Sequence, residues 1–136
     1  MKSVMTIEPR YQETDQMGVI HHSVYPIWYE MGRVKFCDDI GIPFSKIEDQ
    51  NIRLAMVEMK STFRKPSKFG ETLTQRTLLI ALSGVQMNFR YELFNKDNEL
   101  IHIGETRLVW LNEQFKPTNI EKSNPEIFKI FNKNVE

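Results

Sequence analysis

The segment from Tyr11 to Phe36 concentrates the side chains that are able to do acid–base chemistry. Asp15, His21 and His22 lie on either side of Gly18, in a stretch that is too polar and too interrupted for a regular element. A carboxylate can activate water as a general base or attack a carbonyl as a nucleophile. An acid that precedes a helix is also often only a cap or a solvated loop residue, so Asp15 alone leaves both interpretations open.

A long helix is predicted directly after this polar stretch. Ile27, Met31 and Val34 recur at i, i+4 and i+7, which predicts that they form its apolar face, and Trp28 and Phe36 add flanking apolar surface. Pro26 is tolerated at its start because first-turn N–H groups have no helical partner. Gly41 is expected to end it.

The junction between loop and helix is where an acid and hydrogen-bond donors are expected to meet. A helix N-terminus presents unpaired N–H groups and a partial positive charge, here near His22 and Ser23. Such groups can hold a carbonyl oxygen that gains negative charge. Because Gly18 lets the chain fold back, Asp15 can reach the same point, and a base and an oxyanion donor would then face one carbon.

The loop and the helix together form a motif, which runs Thr14-Asp15-x-Met17-Gly18-Val19-Ile20-His21-His22-x-x-Tyr25 and continues with Trp28, Glu30 and Gly32-Arg33. This motif resembles the signature of the 4-hydroxybenzoyl-CoA thioesterase family, in its YbgC/FadM-like acyl-CoA thioesterase branch. Pro66, Gly70-Glu71 and Gly104 are further matches. The resemblance implies an α+β hotdog fold, in which an antiparallel five-stranded sheet wraps around one long central helix.

The resemblance also implies roles for individual residues. Asp15 matches the family's catalytic carboxylate, and the backbone N–H of His22 matches the group that polarises the thioester carbonyl. Six residues are expected to bind substrate: Met17, Gly18, Tyr25, Trp28, Arg64 and Lys65. Glu30 and Arg33 are three apart on the helix and are expected to pair in a supporting role. The family commonly has Asn where Val24 stands, which puts the pocket shape or the substrate class in question.

The expected reaction is hydrolysis of an acyl-CoA or acyl carrier protein thioester, without a cofactor and without a metal. The segment between Lys60 and Arg76 has five basic residues against one acid, Glu71, so it could meet nucleotide phosphates or an acidic carrier protein, or could be only a solvated edge. The alternatives are a non-catalytic acyl-CoA or carrier-protein binding module and an enoyl-CoA hydratase. The hotdog hydratases use an Asp-x-Asn-Pro-x-His pattern, and no Asn-Pro follows Asp15.

Length and composition set the remaining bounds. The 136 residues fit a single domain over 1–136, and 18 basic against 18 acidic residues give no reason to expect nucleic acid or a membrane as partner. We expect a cytoplasmic protein, with the single Cys37 as a core residue. The resemblance implies a homodimer or a homotetramer with active sites at the subunit boundary.

Strands are predicted over residues 5–11, 52–63, 73–82, 85–93 and 100–111, and a terminal helix over 124–131. In the second of these strands, Ala55, Val57, Met59 and Phe63 are expected to share one face. Consecutive hairpins of this kind make an antiparallel sheet, so the pattern favours an α+β fold.

Overall fold

The computed structural model describes residues 2–136. Its elements, in chain order, are β1 (Lys2–Ile7), α1 (Tyr25–Asp39), α2 (Phe44–Glu48), β2 (Arg53–Phe63), β3 (Leu73–Leu82), β4 (Gln86–Phe94), β5 (Leu100–Leu111), α3 (Ile120–Ser123) and α4 (Pro125–Asn132). The five strands form one antiparallel sheet in the order β1-β3-β4-β5-β2, and α1 packs on one face of it. The predicted hotdog architecture is therefore confirmed.

Most element boundaries agree with the prediction, and β3 and β5 begin and end at the predicted residues. The first strand is the main exception, since β1 ends at Ile7 and the chain makes a 3₁₀ turn over Tyr11–Glu13. Pro9 explains the early end, because a proline has no N–H to donate to a sheet ladder. In the part of the chain that is described, no helix is long and apolar enough to cross a membrane.

The buried face of α1 is not the predicted one. Ile27, Met31 and Val34 are 53%, 44% and 39% exposed. The residues that face the sheet are instead Tyr25, Trp28, Tyr29, Gly32, Phe36 and Cys37. Both stripes have helical spacing, so periodicity alone does not choose between them. The aromatic stripe buries the larger apolar area, and that favours its position in the core.

Two glycines let α1 lie close to the sheet. A Cβ at Gly32 would overlap the side chains of Gln75 and Thr77 on β3. A Cβ at Gly104 on β5 would overlap the ring of Tyr29. The first contact is reinforced by Gln75, whose side-chain amide donates a 2.8 Å hydrogen bond to the carbonyl of Trp28. These contacts fix the position of α1 against β3 and β5.

The alternation that the sequence predicts for β2 is interrupted by a β-bulge. The register with β5 shifts between Met56 and Glu58, so Val57 is an extra residue. Residues before and after a bulge exchange faces, because side chains alternate with a period of two. Ala55 therefore lies on the opposite face from Met59 and Phe63, and the expectation that all four residues share one face is wrong. β2 is also an edge strand, with β5 as its one neighbour in the sheet of residues 2–136.

Candidate active site

The loop that carries Asp15 is closed by its own hydrogen bonds. The N–H of Asp15 donates to the carbonyl of Val19 over 2.8 Å, and Oδ1 of Asp15 accepts from the N–H groups of Met17 at 2.8 Å and Val19 at 3.3 Å. Gly18 completes the turn with φ of 80°, a left-handed conformation that favours glycine, as the sequence predicted. Oδ2 of Asp15 forms no hydrogen bond with the described residues. One carboxylate oxygen therefore positions the side chain, while the other is available as a base or a nucleophile.

The side chains of the two histidines at the start of the helix make different contacts. Nδ1 of His21 accepts from the N–H of Ser23 at 3.1 Å and caps a 3₁₀ turn over His22–Val24 that continues into α1. The His22 ring is exposed and lies beside the His21 ring, with ring centroids 4.1 Å apart and planes at 31°. Within residues 2–136, no group of three His, Cys, Asp or Glu side chains could hold a metal ion.

The backbone N–H of His22 is free to act as a donor. The neighbouring N–H of His21 is bound to the carbonyl of Glu13 at 2.8 Å, and that of Val24 to the carbonyl of His21 at 3.0 Å. The N–H of His22 has no acceptor among residues 2–136, because it is the first residue of the 3₁₀ turn. This N–H group is the carbonyl-polarising donor that the family resemblance implies.

A cleft of about 310 Å³ brings these groups together. It is lined by Asp15, Met17, Val19, Ile20, His22, Tyr25, Phe63, Arg64, Lys65 and Pro66. The predicted catalytic pair and four of the six predicted substrate-binding residues are therefore at one place. Phe63 and Pro66 were not predicted as cleft residues, although they flank Arg64 and Lys65 in the sequence and that position was the available signal.

Some predicted site residues lie elsewhere. Trp28 packs on Tyr25 in the core and is not among the residues that line the cleft. Gly18 shapes the loop without lining the cleft. The expected pair of Glu30 and Arg33 is not formed. Arg33 points to the sheet and donates a 3.0 Å hydrogen bond to the hydroxyl of Tyr91, whereas Glu30 is exposed.

The basic residues near the cleft are only partly neutralised. Lys65 forms an ion pair with Glu99 on the neighbouring hairpin, and Arg76 pairs with Glu92 at 2.7 Å. Lys60, Arg64 and Lys68 form no ion pair with the described residues. Arg64 lies in the cleft wall, so the cleft carries an unpaired cation next to its acid.

A buried polar network supports the wall of the cleft. The hydroxyl of Tyr25 is bonded to Oγ of Ser67 at 2.9 Å, and the His102 ring stacks on Tyr25 with centroids 4.0 Å apart. Nε2 of His102 is bonded to the hydroxyl of Tyr29, which also bonds Oγ of Ser61 at 2.8 Å. Burial lowers the pKa of His102 to about 4 and raises the pKa of Tyr29 to about 12. Both side chains are therefore neutral near pH 7.

The cleft at Asp15 is not the largest one among the described residues. The one between the start of α2 and α4 measures about 450 Å³ and has Lys46 and Glu126 as its charged lining residues. This larger cleft contains no residue of the motif that runs from Thr14 to Arg33.

Known proteins are similar to this chain in both sequence and fold. The profile of the thioesterase-like superfamily matches residues 9–125. The chain is 31% identical over 128 residues to a Bacillus subtilis protein named "Putative acyl-CoA thioesterase YneP", covering 93% of each chain. It is 30% identical over 115 residues to the acyl-acyl carrier protein thioesterase ATL2 of Arabidopsis thaliana, covering 84% of this chain and 61% of that protein.

Among solved structures, a DHNA-CoA thioesterase from Staphylococcus aureus superposes with a TM-score of 0.93 at 30% identity, covering 97% of this chain and 89% of that one. The superfamily match spans the loop of Asp15, the whole of α1 and all strands after β1. The resemblance of the motif to thioesterases is thus confirmed over nearly the full chain. The chain belongs to the thioesterase-like superfamily and is a thioester hydrolase.

Proposed function

We propose that this enzyme hydrolyses acyl-CoA to a free acid and coenzyme A in the cleft between Asp15 and His22, without a cofactor. The observation that carries the proposal is the pairing of an unbonded carboxylate oxygen with an unbonded backbone N–H in one cleft. The relatives named as acyl-CoA and DHNA-CoA thioesterases support the choice of substrate. Tyr25 and Phe63 give the cleft an apolar, aromatic wall that suits an acyl group.

The chemistry follows from the two groups. The thioester carbonyl oxygen accepts a hydrogen bond from the N–H of His22, and this bond strengthens as the oxygen gains charge in the tetrahedral intermediate. The carbon–sulfur bond then breaks, and coenzyme A leaves as a thiolate that takes up a proton. The oxygen that is added to the acyl carbon comes from water.

Two routes are compatible with the free Oδ2 of Asp15. As a general base, Asp15 removes a proton from water while that water attacks the carbonyl. As a nucleophile, Asp15 attacks first and forms a mixed anhydride with the acyl group, which water then hydrolyses. Rapid quenching with borohydride separates them, because reduction of an anhydride would convert Asp15 to an alcohol that mass spectrometry detects. A turning-over enzyme with an unmodified Asp15 would indicate the general-base route.

The decisive experiment compares the wild type with Asp15→Asn on a panel of short, long and aromatic acyl-CoAs. We expect kcat to fall by roughly 10² to 10⁴, because a positioned base contributes about that much. The matched control is Asp38→Asn, which alters an exposed aspartate at the far end of α1 and should leave kcat unchanged. A wild type that hydrolyses none of the panel, or an Asp15→Asn variant as fast as the wild type, would overturn the proposal.

A carrier-protein thioester is the second candidate substrate, because it presents an acyl group on the same pantetheine arm. The observation in its favour is the similarity to ATL2, which is named an acyl-acyl carrier protein thioesterase. The same acyl group should therefore be offered on both carriers. A higher kcat/KM with the carrier protein than with coenzyme A would assign the enzyme to the second class.

We further propose that the active enzyme is a homodimer formed through the exposed face of α1 and the edge strand β2. Ile27, Met31 and Val34 on α1 are exposed, and so are Met59 and Phe63 on β2, at 43% and 54%. An edge strand has free backbone groups that a second copy of the same strand can pair with. Because Phe63 also lines the cleft, the partner subunit would lie beside the site.

The dimer is tested with Met31→Glu, which places a charge in the apolar face of α1. We expect size-exclusion chromatography with light scattering to give a mass of 16.1 kDa for the variant, which is that of the monomer. The wild type should have twice that mass. Ile80→Glu is the matched control, since Ile80 is 39% exposed but lies on the other face of the sheet. A Met31→Glu protein that remains dimeric would refute the proposed interface.

A further inference from the structure

An exposed pair of aromatic rings lies at the rim of the cleft. Tyr11 is 71% exposed and Phe69 is 57% exposed, and their ring centroids are 5.6 Å apart with planes at 80°. The two rings come from different loops, one before the Asp15 loop and one between β2 and β3. The edge-to-face contact holds the two rings together, and their exposed surface forms a candidate binding surface.

The pair is attached to the wall of the cleft through Ser67. The carbonyl of Ser67 accepts a 2.9 Å hydrogen bond from the N–H of Ile20, and its Oγ is bonded to the hydroxyl of Tyr25. Ile20 and Tyr25 both line the cleft, and Phe69 follows Ser67 by two residues.

Tyr11 is attached to the loop that carries Asp15. Its carbonyl accepts hydrogen bonds from the N–H of Thr14 at 3.2 Å and from the Thr14 hydroxyl at 2.7 Å, directly before Asp15. The Tyr11–Phe69 contact therefore joins two loops whose residues line the cleft.

The loop that carries Phe69 is also positively charged. Arg64 is in the cleft wall and Lys68 immediately precedes Phe69, and neither forms an ion pair within residues 2–136. The acids of these loops are less available, because Glu13 is tied to Arg10 and Glu71 is half-buried. The cleft and the loops beside it thus hold an acid and an oxyanion donor, unpaired cations and a pair of aromatic rings.

Coenzyme A has complementary groups, which are the thioester, the phosphates and the adenine, joined by the pantetheine arm. We infer that Tyr11 and Phe69 form the adenine-binding platform of this enzyme, with Arg64 and Lys68 as the phosphate contacts. The inference rests on the proposed acyl-CoA hydrolysis and adds where the nucleotide binds. An adenine has a flat π face that stacks on an aromatic ring, and cations attract phosphate oxygens.

The test compares substrates with and without the nucleotide. For Phe69→Ala and Tyr11→Ala, we expect KM for acyl-CoA to rise about tenfold each, which corresponds to about 1.4 kcal/mol. KM for the matching acyl-pantetheine, which has no nucleotide, should not change, and kcat should not change for either substrate.

Phe115→Ala is the matched control. Phe115 is 66% exposed and lies over Arg53, at the opposite end of β2 from the cleft. Its removal should leave KM for acyl-CoA unchanged. Raising the salt concentration should weaken acyl-CoA binding by the wild type and have little effect on acyl-pantetheine, because salt screens exposed charges.

Binding of 3′,5′-ADP, measured by calorimetry, provides a readout that does not depend on hydrolysis. We expect the wild type to bind it and the two alanine variants to bind it about tenfold more weakly. If the alanine variants keep the wild-type KM for acyl-CoA, the platform is refuted while hydrolysis at Asp15 stands. If the wild type hydrolyses acyl-CoA and acyl-pantetheine with the same KM, the nucleotide is not bound anywhere. An enzyme that hydrolyses neither substrate but binds 3′,5′-ADP at the rings would refute the proposed function alone.

Discussion

The buried imidazole of His102 should make this protein sensitive to mild acid. His102 lies on β5 opposite Phe63, fully buried, with its ring stacked on Tyr25. Nε2 is bonded to the hydroxyl of Tyr29, while Nδ1 is buried without a hydrogen bond to the residues of the described chain. A charged imidazole in this place would lose its hydration without gaining a counter-ion, which is why burial lowers its pKa from 6.5 to about 4.

The magnitude follows from the two pKa values. Above pH 6.5 the imidazole is neutral in both the folded and the unfolded chain, so His102 makes no pH-dependent contribution. As the pH falls from 6.5 towards 4, the unfolded chain binds a proton that the folded chain does not, and the free energy of unfolding decreases. At 1.36 kcal/mol per tenfold change, the total loss is about 3 kcal/mol, of which about 2 kcal/mol is lost by pH 5.

Urea unfolding of the wild type and of His102→Gln measures this loss. Glutamine can still bond the Tyr29 hydroxyl but does not titrate, and the buried Trp28 and Trp110 give a fluorescence signal for unfolding. Protein concentration must be held fixed, since the proposed dimer would make the midpoint depend on concentration. When the pH is lowered from 7 to 5, the free energy of unfolding of the wild type should fall by about 2 kcal/mol relative to that of His102→Gln. A constant difference over this range would refute the account of His102 as a buried neutral base.

Three further predictions concern the scaffold of the site. Gly104→Ala should destabilise the fold by about 3 kcal/mol in thermal unfolding, because its Cβ would overlap the buried Tyr29 ring; a change below about 0.5 kcal/mol would show that α1 is free to move away. Arg33→Met should cost about 1 kcal/mol in the same assay, since it removes the 3.0 Å hydrogen bond to the Tyr91 hydroxyl, and an unchanged melting temperature would contradict that role. Burial raises the pKa of Cys37 to about 12, so a disulfide reagent at pH 8 should modify it only after unfolding; rapid labelling of the folded protein would be inconsistent with this environment.

Local sequence was sufficient for much of the fold because the relevant signals are local. The alternation of apolar and polar residues in β4 survives in the structure, where Met87, Phe89, Tyr91 and Leu93 are buried. The limits of β3 and β5 are set by the turn residues beside them. Gly18 is needed for a left-handed turn in the Asp15 loop, and this need is also readable from the chain.

The sequence by itself determined the chemical inventory of the site: an acid, a flexible turn and a helix start, in an order that thioesterases share. Only the tertiary structure decided which stripe of α1 is buried, because two apolar stripes have the same period and the choice depends on how well each packs on the sheet. It alone revealed the bulge at Val57, which reverses the faces of β2, and the partner of Arg33, which lies on another element. Contacts of this kind join residues that are far apart in the chain, so no local period or spacing encodes them.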